Sequence, residues 1–455
     1  MRFSAKDELA LGALVALGAL LANVLPVSEV AAKSASTSSV ANSTSSLRCN
    51  REGGVRTQQG VRQICMREGG LLKWTRVAKK PLRLPNSTST STITPQATPP
   101  LIITDVEKCK LKAPLSDFAH SLGFPRPNIR LNSTGRIRLA VIFTDFSDSP
   151  ATRSLDSVFA MISPGAEEMY FAMSYGRLQM ELVPVMRWLR LPRPSTDYRM
   201  KRGASFITHR EYIVDALNAA GPYLHNSAFD GFVVLTNPYT PSFDYGPAFT
   251  PNSPFWAATA AGRNWMNGAS SGTDLNVWGH TWLNHELGHA MGLPDLYSFS
   301  GLTHRWVGEW SLMGLNTARG REFLGWERWF LGWISDSQVV CEPEERAKVM
   351  LSPIAREGGQ KILTLRIDSH RVLVVESRRK LGYDARIAKE GILVYVVDSD
   401  TPSGEGPVKV LPHDPNDFEK MAAPLSPGES LTFEGIRITY EQRLAIGDVI
   451  SVNRP

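Results

Sequence analysis

Residues 280–297 read HTWLNHELGHAMGLPDLY. On a helix, His285 and His289 stand four residues apart and project from nearly the same face. Two imidazoles so placed supply two nitrogens of a tetrahedral zinc site. Glu286 is their neighbour around the helix. Its carboxylate reaches a water held at the metal without being a ligand, which is the position of a general base for hydrolysis. Pro294 ends the helix, and Gly292 permits a tight, left-handed turn that brings the chain back toward the metal. Asp295 then closes the site as a carboxylate third ligand. Glu309, 20 residues beyond His289, is the alternative third ligand, with His304 and His280 as further candidates. Met313, in WSLMG at residues 310–314, offers an apolar and polarisable floor beneath the histidines. Tyr297 either donates a hydrogen bond to an oxyanion or packs as an aromatic beside the turn. A structural zinc site is the competing reading, but no cysteine lies near and structural sites usually fill all four positions.

Upstream of this stretch the pattern is mixed α/β. The run IRLAVIFTDFSD, residues 137–148, predicts a buried strand, and residues 153–175 predict a helix with Phe159, Met169, Tyr170 and Met173 in the core. RLQMELVPVMRWLRL, residues 177–191, alternates like a strand up to Pro184. REYIVDALNAA, residues 210–220, reads as an amphipathic helix, and FDGFVVLTNP supplies another strand. Residues 237–274, rich in Pro, Gly, Asn and Ser, predict a long functional loop region. Downstream of Cys341 the pattern turns to β, with ILTLRI, RVLVVE, GILVYVVD, ESLTFEG and DVISV as short strands. A small all-β C-terminal domain is expected over 345–455, after a catalytic domain over 126–344.

The 455 residues suffice for two or three domains, and 42% apolar residues support a sizeable core. Net charge is +6, and the pI is near 9.1. The basic residues are scattered, which fits a weakly positive surface and not a nucleic-acid binder. Arg2 and Lys6 precede an apolar run from Leu9 to Leu25, and Ala31 and Ala32 follow it. That order predicts a signal peptide over 1–32 and secretion. The alternative is an uncleaved anchor, the one case in which the chain would insert in a membrane. Residues 33–125, with low-complexity stretches at 33–48 and 84–100, read as a leader, propeptide or linker. The four cysteines suit an oxidising compartment, with Cys49–Cys65 and Cys109–Cys341 as the expected pairs. Asn42, Asn86 and Asn132 head glycosylation triplets.

With His285, Glu286, His289, Gly292, LPDLY around Asp295, and Met313 in place, the chain resembles the metzincin-like zinc peptidases. It resembles most closely the immune-inhibitor-A-like secreted metallopeptidases. FTDFSD, MSYGRLQMELVPV, VVESRRKLGYD and GILVYVVD add to the likeness, which spans roughly residues 135–400 in the expected order. The resemblance implies a zincin-like α/β domain with a mixed sheet and the site helix at the floor of a cleft, followed by a β-sandwich-like module. It further implies a secreted proenzyme, one catalytic zinc ion, bound calcium in some relatives, Met313 as the Met-turn, and protein or peptide substrates. Asp295 departs from the histidine that most metzincins use as third ligand, and the N-terminal region lacks a clear inhibitory motif. Cys109 offers a latency ligand as well as a disulfide. An inactive peptidase-like binding protein and a zinc-dependent amidase are the alternatives. The sequence fixes neither cleavage specificity nor oligomeric state.

Overall fold

The structure is a computed structural model. It describes the backbone of residues 55–58, 61–68 and 71–76, and residues 101–114, 120–224 and 228–454. The chain divides into two compact units, residues 1–94 and 95–455. In the first, β1 (Val55–Gln58), β2 (Val61–Glu68) and β3 (Leu71–Arg76) form an antiparallel sheet in that order. The expected signal segment, Cys49, Asn42 and Asn86 lie outside the described residues, whereas Asn132 is exposed. Among the described residues no helix is long and apolar enough to cross a membrane.

The second unit is mixed α/β. Its first sheet runs β5 (Leu178–Arg190), β4 (Gly135–Asp145), β6 (Gly231–Thr236), β10 (Gly268–Ser270), β7 (Ala248–Phe249). All neighbours are parallel except β7, which runs antiparallel at one edge. Strand β4 is apolar on both faces because both are covered. Ile137, Leu139, Val141 and Phe143 face one core, and Ala140 and Ile142 face the other. Pro184 does not break β5, since that strand is at the other edge and its missing N–H costs little there. The helix expected over 153–175 is two, α1 (Leu155–Phe159) and α2 (Gly165–Met173), parted by a turn that ends at Pro164. Helix α3 (Phe206–Ala220) starts four residues earlier than its apolar pattern, where Ser205 caps it by accepting from Thr208 N. The expected loop 237–274 also holds β7, β10 and the hairpin β8 (Ala258–Ala260) and β9 (Arg263–Trp265). After α4 (Leu275–Trp278), helix α5 (His280–Ala290) packs on β10, β7 and α2.

Past α6 (Gly325–Phe330) the chain builds two facing sheets. One runs β11 (Val339–Cys341), β13 (Ile362–Arg366), β14 (Arg371–Arg378), β15 (Gly391–Asp398), β16 (Val408–Val410). The other runs β12 (Lys348–Leu351), β19 (Asp448–Asn453), β18 (Ile436–Arg443), β17 (Ser430–Phe433). Leu363, Leu373, Val375 and Val394 meet Ile438, Ile450 and Val452 between them. The opposite face of the first of these sheets carries Ile362, Val372, Val374, Leu393 and Tyr395. It packs into the same core as α5, so the apolar interior is continuous across residue 345. Val106, Cys109, Leu111 and Leu122, within the stretch read as leader, are buried in that core too.

Charged residues are buried where α6 meets β14. Arg378 donates to both oxygens of Asp384 (2.6 and 2.9 Å) and to Glu376 (2.9 Å). Glu376 also accepts from Gly325 N and Tyr395 Oη. Arg328 pairs with Glu322 and donates to the carbonyls of Met173 and Ile354. Such groups tolerate burial only because each is paired and hydrogen-bonded. The expected Cys109–Cys341 disulfide is present and closes a loop with a sequence separation of 232. Replacing both cysteines by Ala should therefore lower unfolding free energy by about 5 kcal/mol at most on chain-entropy grounds. Equilibrium denaturant unfolding of the two proteins measures the loss.

Candidate metal centre

Helix α5 is held at its C-terminal end by residues far from it in sequence. Leu131 N donates to Ala290 O (2.9 Å), Arg126 Nη1 to Met291 O (3.3 Å), and His120 Nε2 lies 3.1 Å from His289 O. Terminal carbonyls that a helix leaves unpaired are thereby satisfied. Gly292 follows with φ of 108°, a value that favours glycine, and Leu293 N returns to Gly288 O (3.0 Å). The chain then doubles back to Asp295.

His285 and His289 are both buried, and both are oriented by main-chain carbonyls. His285 Nδ1 lies 3.0 Å from Leu312 O, and His289 Nδ1 lies 2.8 Å from Leu293 O. A carbonyl only accepts, so each ring carries its proton on Nδ1, an assignment that follows from these partners. With both rings neutral each Nε2 is a lone pair, and the two lie 3.1 and 3.2 Å from the same oxygen, Asp295 Oδ1. Three acceptors converge with no hydrogen left to place between them. A cation among them resolves this, as does protonation of one imidazole. Burial opposes protonation of His289, but Asp295 outweighs it and raises the group above its ordinary value. Against its own burial, Asp295 is held well below the carboxylate range by His289 and by hydrogen bonding to both rings. The three ligand atoms all lie within 4.8 Å of one another, and the donor set fits a metal ion.

Met313 lies directly under the helix. A Cβ at position 288 would come within 2.6 Å of its Sδ, so glycine between the two histidines lets the turn approach. The turn is tied to the ligand loop by Leu296 N donating to Met313 O (3.0 Å). Glu286 is buried beside the histidines, and its Oε2 accepts from Ala248 N of β7 (2.7 Å). Burial, offset in part by His285, pushes its carboxyl up to about 8. Tyr297 lies with its ring 6.3 Å from that of His285, and burial together with Asp295 raises its hydroxyl pKa, keeping it a donor. These side chains face a cleft of about 740 Å³.

The other candidates lie elsewhere. Glu309 Oε2 is 3.5 Å from Arg319 Nε and lines a separate, small cavity with Trp310 and Ile387. His304 and His280 are outside the cluster, and the His280 ring packs against Gly165. Cys109 is bound to Cys341 and offers no thiolate. Four cleft residues had no motif to announce them: Arg202, Tyr245, Trp278 and Asn316. Ser403 was equally silent. It comes from the loop after β15, accepts from Asp295 N (2.8 Å) and faces Asp295 Oδ2 (3.4 Å), while Gly404 N donates to Asp295 O (3.2 Å).

Ser403→Ala should weaken binding of a divalent ion by about 10–100-fold, the usual effect of losing a group that orients a ligand. Competition against a chromophoric chelator reads this directly. An unchanged affinity would mean that the backbone alone fixes Asp295.

No protein-family model matches this chain, and no curated protein matches it.

Proposed function

We propose that this chain is a secreted zinc-dependent endopeptidase with a zincin-like catalytic domain, of the kind the immune-inhibitor-A-like metallopeptidases represent. The observation that carries the reading is the convergence of two imidazole nitrogens on Asp295 Oδ1 beside a buried Glu286. His285, His289 and Asp295 are the residues that would hold such an ion, their ligand atoms lying within 4.8 Å of one another. A disulfide in the core accords with an oxidising destination.

Zinc held by His285, His289 and Asp295 would supply Lewis acidity to a peptide carbonyl and acidify a water. Glu286 takes the proton of the attacking water, and its raised affinity for protons suits it to hold that proton and pass it to the departing amine. Ala248 N keeps the carboxylate turned toward the cleft while it does so. Tyr297, a neutral donor in the same cleft, is placed to hydrogen-bond the oxyanion.

Purified full-length protein loaded with zinc should cleave a peptide library, and chelation should stop it. Glu286→Gln should lower turnover by about 10²–10⁴-fold while metal affinity stays near that of the parent. Cleavage that survives this substitution removes Glu286 as base, and hydrolysis of non-peptide amides alone would favour an amidase. The metal centre should also be acid-sensitive. His289 must lose a proton to coordinate, and that proton is held above the ordinary histidine value. Zinc affinity should therefore fall as pH drops through neutrality, and chelator competition at pH values about two units apart tests the sign.

A further inference from the structure

We propose that a second cleft, between residues 305–306, β16 and β17, binds an extended acidic segment of a polypeptide partner, which adds as a strand to the free edge of β17. The cleft holds about 610 Å³ and is separate from the metal centre. Strand β17 ends the four-stranded sheet and pairs with β18 on one side only. Among the described residues no backbone hydrogen bond reaches its other edge, and all four of its residues line the cleft. A free edge of this kind is a template for an incoming strand.

The lining of this cleft is cationic. Arg305, Lys409 and Lys420 line the cleft together with His413, and no carboxylate does. Arg305 and Lys409 are set in place by the Trp306 ring, 4.2 and 5.2 Å from its centroid, and Trp306 O accepts from Val410 N. Neighbouring carboxylates accept from main-chain N–H groups, and Asp417 also acts on Lys420. Asp417 accepts from Met421 N and Ala422 N, and Asp414 from Asn416 N. Lys420 is half-buried and held below its ordinary value, with Asp417 alone opposing that shift. Leu411, Leu431 and Phe433 add apolar surface beside the cations, so the cleft suits a segment that carries both acidic and apolar side chains. Basic strands are repelled by the cations, and acidic ones are drawn in. The chain's own N-terminal part is an ill-matched occupant: residues 33–100 carry eleven Lys and Arg against two acidic residues.

This inference does not depend on peptidase activity. It is tested by fluorescence anisotropy on full-length protein carrying Glu286→Gln, so that the probe stays intact. The probe is a labelled peptide of alternating Glu and Val. It should bind, and more weakly as salt rises. The Lys–Val counterpart and an analogue N-methylated at alternate residues, which keeps its charge but loses backbone donors, should each bind about tenfold more weakly or worse. Lys409→Glu combined with Lys420→Glu should cost a similar factor. Equal binding of the Lys–Val peptide, of the N-methylated peptide, or by a folded charge-reversed protein overturns the proposal. If that variant unfolds, the peptide series on the parent cleft still decides. Binding of heparin without binding of the Glu–Val peptide would also overturn it, marking a plain polyanion surface instead.

Discussion

The turn at residues 311–314 is fixed from below by Glu327, whose Oε2 accepts from Ser311 Oγ (2.8 Å) and from Leu324 N (2.7 Å). Burial pushes this carboxyl up to about 7, so the group sits at a cost that its hydrogen bonds offset only in part. Ser311 has φ of 73°, a conformation that a residue with a side chain keeps only when its surroundings impose it. Its hydroxyl accepts from Met313 N, which sets the next two residues. Leu312 O then meets His285 Nδ1, Met313 Sδ meets the helix at Gly288, and Met313 O takes Leu296 N. One buried carboxyl group thus governs the carbonyl that meets His285, the floor under the helix and the approach of the loop that carries Asp295.

The charged cluster beside it extends the same logic. Gly325 N, at the start of the helix that carries Glu327, donates to Glu376, and Glu376 and Asp384 bracket Arg378 on β14. A polar network of this kind contributes more to the choice of one arrangement than to net stability. Here the arrangement it selects is the seating of α6 on the β sheet, and through α6 that of the turn under the histidines.

Much of this was legible in the sequence because it is local. The helical spacing of His285, Glu286 and His289, the glycine and proline that end the helix, and the short alternating strands after Cys341 all report on neighbours within a few residues. The pairing of Cys109 with Cys341 was chosen from the three connectivities that four cysteines allow, and the structure has it. What escaped was long-range. Ser403 is an ordinary serine in a turn until the fold sets it against Asp295. His120 and Leu131 lie in or near a stretch that looked like a leader. Helix 153–175 came apart because the apolar spacing continues through Pro164, where the backbone does not. The boundary near 345 was drawn from a change of period, but a sheet apolar on both faces joins the two halves in one interior.

The tether from Ser403 to Asp295 spans 108 residues. During synthesis the two histidines and Asp295 emerge first, and the loop that holds the aspartate follows only after β14 and β15 have been made. A nascent chain therefore carries the recognisable motif well before it carries the serine that holds Asp295.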